Sequence, residues 1–372
     1  MRNLSTPKIL MTTDTVGGVW TYATDLATAF AKSGTSVHLV TIGPKPRSAQ
    51  RAALSGSTVE LIESDLALEW QDPEGRDLAR ASRFLADVEH WIKPDVVHLN
   101  SYREATFDWR AAVVVAAHSC VNSWGLACDD TSWLLEPRWQ RYTELVAAGL
   151  DHAEAWVAPT QAFRDVVRHL YRPRPQGAVI ANGAVLTPKP PEPKKPFILA
   201  AGRMWDRAKN LSALAEVAID LDWPVFVAGT TSSDRERTSG LAFLGELSRF
   251  QLHAQMQRAA IFASPAYYEP FGLAVLEAAT EGCALVLSDI PTFRELWDGA
   301  AIFVAPDDIQ GLRTVLAELC NNPGKRAQLQ GAAFAKARCY SIKRTAERYA
   351  RLYRSLLAPR STARSHAMEA HA

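Results

Sequence analysis

The sequence predicts an α/β protein built as two doubly wound parallel sheets joined by a hinge. Three observations carry that expectation. Short β-branched runs alternate with amphipathic segments from the start, the pattern of a parallel sheet covered by helices. A proline-rich break near the middle is followed by the same alternation begun afresh. The length of 372 residues, 48% hydrophobic and 22% charged, gives each half enough chain for a core of its own.

The first domain is placed at residues 1–185. Its first strand is KILMTT, and Gly18 to Lys32 follows as a helix because Trp20, Ala23, Ala27 and Phe30 recur at intervals of three and four. SVHLVTI, DVVHL and AAVVVAAH supply further strands, and WVAPTQAFRDVV reads as a strand, a Thr160 cap and a helix. After VIANGA, residues 186–196 (LTPKPPEPKKP) hold five prolines and three lysines, which cannot pack as a regular element and predict an interdomain linker. The second domain, 197–341, opens with FILAAGR and continues with a helix from Asn210, the strand PVFVAG, a helix near Ser248 to Ala259, the strand IFASP and a helix beginning near Phe271. The last helix, 342–358, follows a complete second domain and is a candidate to cross back to the first. Residues 359–372 are expected to be a disordered tail.

Lysine plus arginine number 41 against 40 for aspartate plus glutamate, so the net charge favours no nucleic-acid partner. Five cysteines, odd in number and without a Cys-x-x-Cys pair, fit reduced, buried thiols in a cytoplasm. The start MRNLSTPKILMTTD lacks the apolar stretch of a signal peptide, and no run reaches the length of a membrane span. A cytoplasmic location is expected.

Two facing doubly wound sheets bind their ligand between them, where each presents loops and helix N-termini at the carboxyl ends of its strands. In TTDTVGGVW, Gly17 and Gly18 let backbone N–H groups approach a ligand, and the positive end of the following helix favours an anion. A plain tight turn is the competing reading. In AAGRMWDRAKN, Arg203, Arg207 and Lys209 precede a helix, where cations oppose the dipole unless an anion such as a diphosphate lies among them or the loop is simply solvated. In YEPFGLAVLE, the N–H groups of Phe271, Gly272 and Leu273 are expected to point free into the cleft, with Glu269 at its mouth and Glu277 deeper. Two such carboxylates suit a hydroxyl-rich ligand, since each accepts hydroxyl protons. The alternative is that Glu277 and Glu281 form a polar helix face. His118 ends AAVVVAAH on the cleft side and could orient a reacting group or donate a proton near neutral pH; a satisfied core histidine competes with that role. His98 in PDVVHLNS is similarly placed.

GGVW, the HS at the strand end, NGA before the linker, GRMWDRAKN and EPFGLAVLEA occur in this order nearly end to end. On these motifs, of which Glu-x7-Glu is the most specific, the chain resembles the retaining, nucleotide-sugar-dependent glycosyltransferases of family 4, which have the two-Rossmann-domain GT-B fold. The resemblance implies that Arg203 and Lys209 hold the donor diphosphate, that Glu277 binds the ribose, and that Glu269 lies near the donor sugar's hydroxyls with Phe271, Gly272 and Leu273 giving backbone contacts. Gly17 and Gly18 match the loop near the phosphates, and His118 the histidine close to the anomeric centre. The chain departs from the family in three places. Arg203 and Lys209 are six apart where many relatives have five, so Arg207 could share the role; Pro291-Thr292 stands where a Gly-Gly or Gly-x-Pro pattern is common; and Thr230 replaces a common glycine.

The implied reaction moves a sugar from a nucleotide-diphosphate sugar, used as co-substrate, to a glycan, lipid-linked or small-molecule acceptor with retention. No further cofactor and no metal are expected, because the arginine and lysine can neutralise the departing diphosphate. Glu269 would orient the sugar and would not be a nucleophile. A catalytically silent nucleotide-sugar binding subunit and a nucleotide-sugar 2-epimerase are the competing functions. Acceptor contacts are expected in loops rich in tryptophan, with Trp109, Trp124, Trp133 and Trp139. Arg344, Arg348 and Arg351 share a helical face, and Arg164, Arg168, Arg172 and Arg174 cluster in FRDVVRHLYRPRP. Both segments are candidates for peripheral contact with anionic lipid on the inner face of a membrane, and ordinary solvated helix surface is the competing reading.

Overall fold

The computed structural model describes residues 7–186, 193–230 and 240–358. Residues 187–192 of the predicted linker and the tail from 359 lie outside that range. In the first domain the elements run β1 (Ile9–Asp14), α1 (Gly18–Lys32), β2 (Val37–Ile42), α2 (Ser48–Ala52), β3 (Glu60–Ile62), α3 (Leu78–Ile92), β4 (Val96–Leu99), β5 (Ala112–Ala116), α4 (Val121–Ala127), α5 (Pro137–His152), β6 (Ala155–Ala158), α6 (Gln161–Tyr171) and β7 (Ala178–Val179). The second domain comprises β8 (Lys195–Ala201), α7 (Leu211–Ala218), β9 (Val225–Ala228), β10 (Leu241–Gly245), α8 (Arg249–Arg258), β11 (Ala259–Ser264), α9 (Leu273–Thr280), β12 (Ala284–Ser288), α10 (Pro291–Trp297), β13 (Ile302–Val304), α11 (Ile309–Asn321) and α12 (Pro323–Ala337). A last helix, α13 (Ile342–Leu357), ends the described chain.

All strands pair in parallel, in the orders 3-2-1-4-5-6-7 and 10-9-8-11-12-13. Each order reverses beside its first strand, β1 against β4 and β8 against β11, and at such a reversal the loops leaving the strands diverge and leave room for a ligand. The central strands are buried along nearly their whole length because helices cover both faces, with Ile9, Leu10 and Met11 of β1 fully buried. The periodic face of α1 is buried through Trp20, Ala23, Ala27 and Phe30. Thr160 caps α6 as its sequence suggests, its Oγ1 accepting from Phe163 N–H at 3.1 Å.

Two boundaries differ from the expectation. β8 begins at Lys195, so the last two residues of the predicted linker extend a strand whose exposed start tolerates Pro196. Helix α9 begins at Leu273, two residues later than expected, because Gly272 takes φ 85°, a left-handed conformation that a helix cannot continue through.

Helix α13 lies on the first domain. Tyr349 and Tyr353 join Trp20, Tyr22 and Phe30 in one core cluster, and Tyr353 Oη meets His98 Nδ1 at 2.5 Å. The chain returns beside its outward crossing: Ala184 N–H donates to Tyr340 O at 3.0 Å, and Ile342 N–H to Ala184 O at 2.9 Å. A side chain at Gly183 would stand 2.5 Å from the Ile342 backbone. A buried charge cluster braces the connections that leave the carboxyl ends of β3 and β4. Arg103, 1% exposed, donates to Asp72 and Glu104 carboxylates at 3.0 Å and to Ala67 O at 2.8 Å, pinning the segment before α3 to the β4–β5 connection. Four of the five cysteines are buried; Cys339 is exposed, against expectation.

Candidate active site

The loops at the two strand-order reversals face each other. Gly17, at φ 93°, caps α1, and a Cβ there would lie 3.6 Å from Arg203 Cδ of the second domain; one at Gly18 would lie 3.7 Å from Leu273 Cδ1. Four residues predicted to contact one ligand therefore meet across the cleft. Arg203 lies over the Trp205 ring at 5.5 Å and pairs with Asp206 through Nη2 and Oδ2 at 3.3 Å.

Lys209 Nζ donates to Glu269 Oε2 at 2.7 Å, and Gly272 N–H donates to Glu269 Oε1 at 2.9 Å. Thus one of the three N–H groups expected to point free is taken by the carboxylate three residues before it. The Phe271 side chain is buried in the second core against Tyr340 and has no place in the cleft. Pro291 starts α10, and Thr292 Oγ1 donates to Glu269 O at 2.6 Å, so the departure from the family pattern there serves to hold the Glu269 backbone.

Glu277, 6% exposed, faces two cations of α8: Arg249 Nη2 at 3.2 Å and His253 Nε2 at 3.4 Å. Arg249 also grips Asp25 of α1 with both Nη atoms, at 2.6 and 2.7 Å, and so ties the deeper carboxylate to the other lobe. His253 Nδ1 meets Glu281 at 2.9 Å. The two acids four apart are thus a shared buried site for His253, not a solvated face. Burial works to lower the His253 pKa, but the bonds to Glu277 and Glu281 prevail and raise it to about 9.

On the first-domain wall, His118 Nε2 and Asn100 Oδ1 are 2.7 Å apart, and the Tyr22 ring meets the imidazole edge-on at 4.4 Å. Burial lowers its pKa to about 4, so the expected proton donation near neutral pH is corrected: the ring is uncharged there. Tyr268 links this wall to the Glu269 loop, its Oη lying 2.6 Å from Ser123 Oγ and accepting from Cys120 N–H at 3.4 Å. His98 is fully buried and belongs to the core with Tyr353.

Arg207 is exposed and reaches Asp130 of the other lobe at 3.4 Å. Thr230 O accepts from Met204 N–H at 2.9 Å, and the loop beyond it lies outside the described residues. Among the tryptophans, Trp124 Nε1 donates to Asp206 Oδ1 at 2.9 Å across the cleft, while Trp109 Nε1 donates to Glu104 O at 2.8 Å within its own domain. The Trp133 ring lies between those of Trp124, tilted at 6.1 Å, and Trp139, edge-on at 5.0 Å.

Sequence reading missed Asp14, Asp25, Asp206, Arg249 and His253. Asp14 ends β1; burial raises its pKa to about 6 against the Val16 N–H bond at 2.9 Å and the Arg203 charge. Only its place at a strand end next to the Gly-Gly turn could have marked it. Against the expectation that the chain has no Asp-x-Asp element, Asp220-Leu221-Asp222 is one; it follows α7 at the strands' amino ends, away from the candidate loops, and Asp220 pairs there with Arg313 at 3.0 Å. Among the described residues no cluster of three or more His, Cys, Asp or Glu could hold a metal ion, and no helix is long and apolar enough to cross a membrane.

The chain is similar to known proteins along nearly its whole length. The family model described as Glycosyltransferase Family 4 matches residues 16–187, and that described as Glycosyl transferases group 1 matches 187–336. The chain is 34% identical over 93 residues to a glycogen synthase of Mycobacterium tuberculosis, a match covering 24% of this chain and 22% of that protein. It is 26% identical over 190 residues to the lipopolysaccharide core biosynthesis mannosyltransferase LpsB of Rhizobium meliloti, covering 45% and 53%. The matches thus span from about a fifth to about half of these curated relatives. Among solved structures, sucrose-phosphate synthase from Thermosynechococcus elongatus superposes with TM-score 0.76 at 17% identity, covering 94% of this chain and 99% of that one. HepE of Anabaena, in complex with UDP-glucose, gives 0.72 at 17%, covering 94% and 100%. With two family models meeting at the linker and a two-sheet fold shared along nearly its whole length with these structures, the chain belongs to the group 1 glycosyltransferases of family 4 and has the GT-B fold.

Proposed function

We propose that the protein transfers a hexosyl group, with retention and without a metal ion, from a nucleotide-diphosphate sugar to a glycan, lipid-linked or small-molecule acceptor. The observation that carries this reading is the meeting of Gly17 and Gly18 with Arg203 and Leu273 across the cleft, beside the Lys209–Glu269 pair. A diphosphate between the lobes would find the N-terminus of α1 on one side and the two cations on the other. Without a ligand each cation is matched, Arg203 by Asp206 and Lys209 by Glu269. Donor phosphates would draw Lys209 away and leave Glu269 to accept sugar hydroxyls. Glu277, deeper in the same helix, would accept those of the ribose. Fixed positive charge then stabilises the leaving diphosphate as the glycosyl bond breaks through an oxocarbenium-like state. The acceptor proton passes to a donor phosphate oxygen on the same face.

The acceptor classes rest on the relatives: one is named for glycogen synthesis, another for the lipopolysaccharide core. Arg344, Arg348 and Arg351 are exposed on α13 and would suit peripheral contact with anionic lipid at the cytoplasmic face of a membrane. Arg164 and Arg174 are less available, being paired with Asp165 and Asp151. The decisive experiment is transfer by Lys209→Ala and Glu277→Ala. Each should lose about 2 to 4 kcal/mol of transition-state stabilisation, roughly 30- to 1000-fold in kcat/KM. Wild-type rates in both would show that the donor site is wrongly placed, and an inverted product would overturn the retaining course.

A further inference from the structure

Asn100 follows β4, between Thr12 of the neighbouring β1 and His118 beyond β5. Its backbone N–H donates to Thr12 Oγ1 at 3.0 Å and its side-chain Nδ2 to Thr12 O at 2.6 Å. A backbone carbonyl can only accept, so the amide nitrogen must face Thr12 and Oδ1 must face His118 Nε2. Oδ1 is itself only an acceptor. The 2.7 Å contact is therefore a hydrogen bond only when Nε2 carries the proton. A neutral imidazole has one N–H, which leaves Nδ1 with a bare lone pair. That nitrogen makes no hydrogen bond among the described residues, and His118 is only partly buried at the cleft end of the sheet. The titratable groups against the ring are Tyr22 of α1 and His98 of β4; burial keeps the first protonated and the second uncharged at neutral pH.

We propose that Asn100 is a positioning residue that locks His118 in the Nε2–H tautomer, so that Nδ1 presents a hydrogen-bond acceptor to a hydroxyl group of the donor sugar. This rests on the functional reading above, which sets the sugar against His118. The device selects a ligand group that donates and keeps His118 out of proton transfer.

The tautomer is read directly by long-range proton–nitrogen spectra of the full chain labelled with 15N-histidine, assigned with His118→Gln. A protonated Nε2 beside a bare Nδ1 is expected; the opposite pattern overturns the proposal. In Asn100→Asp, a carboxylate accepting from Nε2–H favours the imidazolium, and its second proton occupies Nδ1. Transfer by this variant should then fall about tenfold for each pH unit below the raised pKa of His118, while the wild type shows no such step between pH 6 and 8. Coincident pH profiles would overturn the proposal. Full-rate transfer by His118→Ala would instead overturn the contact with the sugar, and the spectrum separates that failure from a wrong tautomer.

Discussion

Replacing His253 by glutamine should remove a specific pH dependence from the stability of the protein. The imidazole is 24% exposed and lies between two carboxylates that are themselves buried, Glu277 at 3.4 Å and Glu281 at 2.9 Å. Its pKa rises from 6.5 to about 9 on folding. A group whose folded pKa is raised stabilises the native state fully below its unfolded value and loses that contribution as pH climbs through the folded one. A shift of this size corresponds to about 3 kcal/mol, present at pH 6 and gone above pH 9. Urea unfolding at a series of pH values between 6 and 9.5 measures it: the wild type should lose about 3 kcal/mol more than His253→Gln across that window. Parallel curves for the two proteins would refute the reasoning, because they would mean that His253 is not charged between the acids.

Other expectations can be checked as simply. Trp124→Phe removes the donor to Asp206, the carboxylate that also holds Arg203; the KM for the donor should rise about tenfold, and an unchanged KM would separate Trp124 from donor binding. Arg103→Leu leaves the Asp72 and Glu104 carboxylates buried without their cation and should lower stability by about 3 to 5 kcal/mol, seen as a fall in the thermal midpoint. Transfer should continue at full rate in excess EDTA, since Arg203 and Lys209 supply the positive charge; loss of activity restored by magnesium would contradict that assignment.

The architecture was legible because both of its signals are local. Alternation of β-branched runs with amphipathic segments marks β1, β2, β4, β5, β6, β8, β9 and β11, though not β12 inside the second sheet, and five prolines within eleven residues mark the crossing between domains. Single residues could also be placed where a backbone rule fixes them, as with the Thr160 cap. What stayed hidden was pairing between distant parts of the chain. Nothing near Arg249 indicates that its partner is Asp25, because their meeting depends on how two folded lobes close, not on any periodicity. The same holds for Trp124 and Asp206, and for the tyrosines of α13 that enclose His98. Glu277 was found by its motif, but the cations that balance it come from a separate helix. His118 was found by its place at a strand end, whereas its protonation follows from burial and from Asn100, which no spacing reveals.

The polypeptide passes between the lobes twice, and both passages are stitched together at Ala184 and Ser341. Such a paired strap resists sliding of one lobe along the other but yields to bending. Any bending at that strap would carry Arg203, Lys209 and Glu269, all of one lobe, away from Gly17 together.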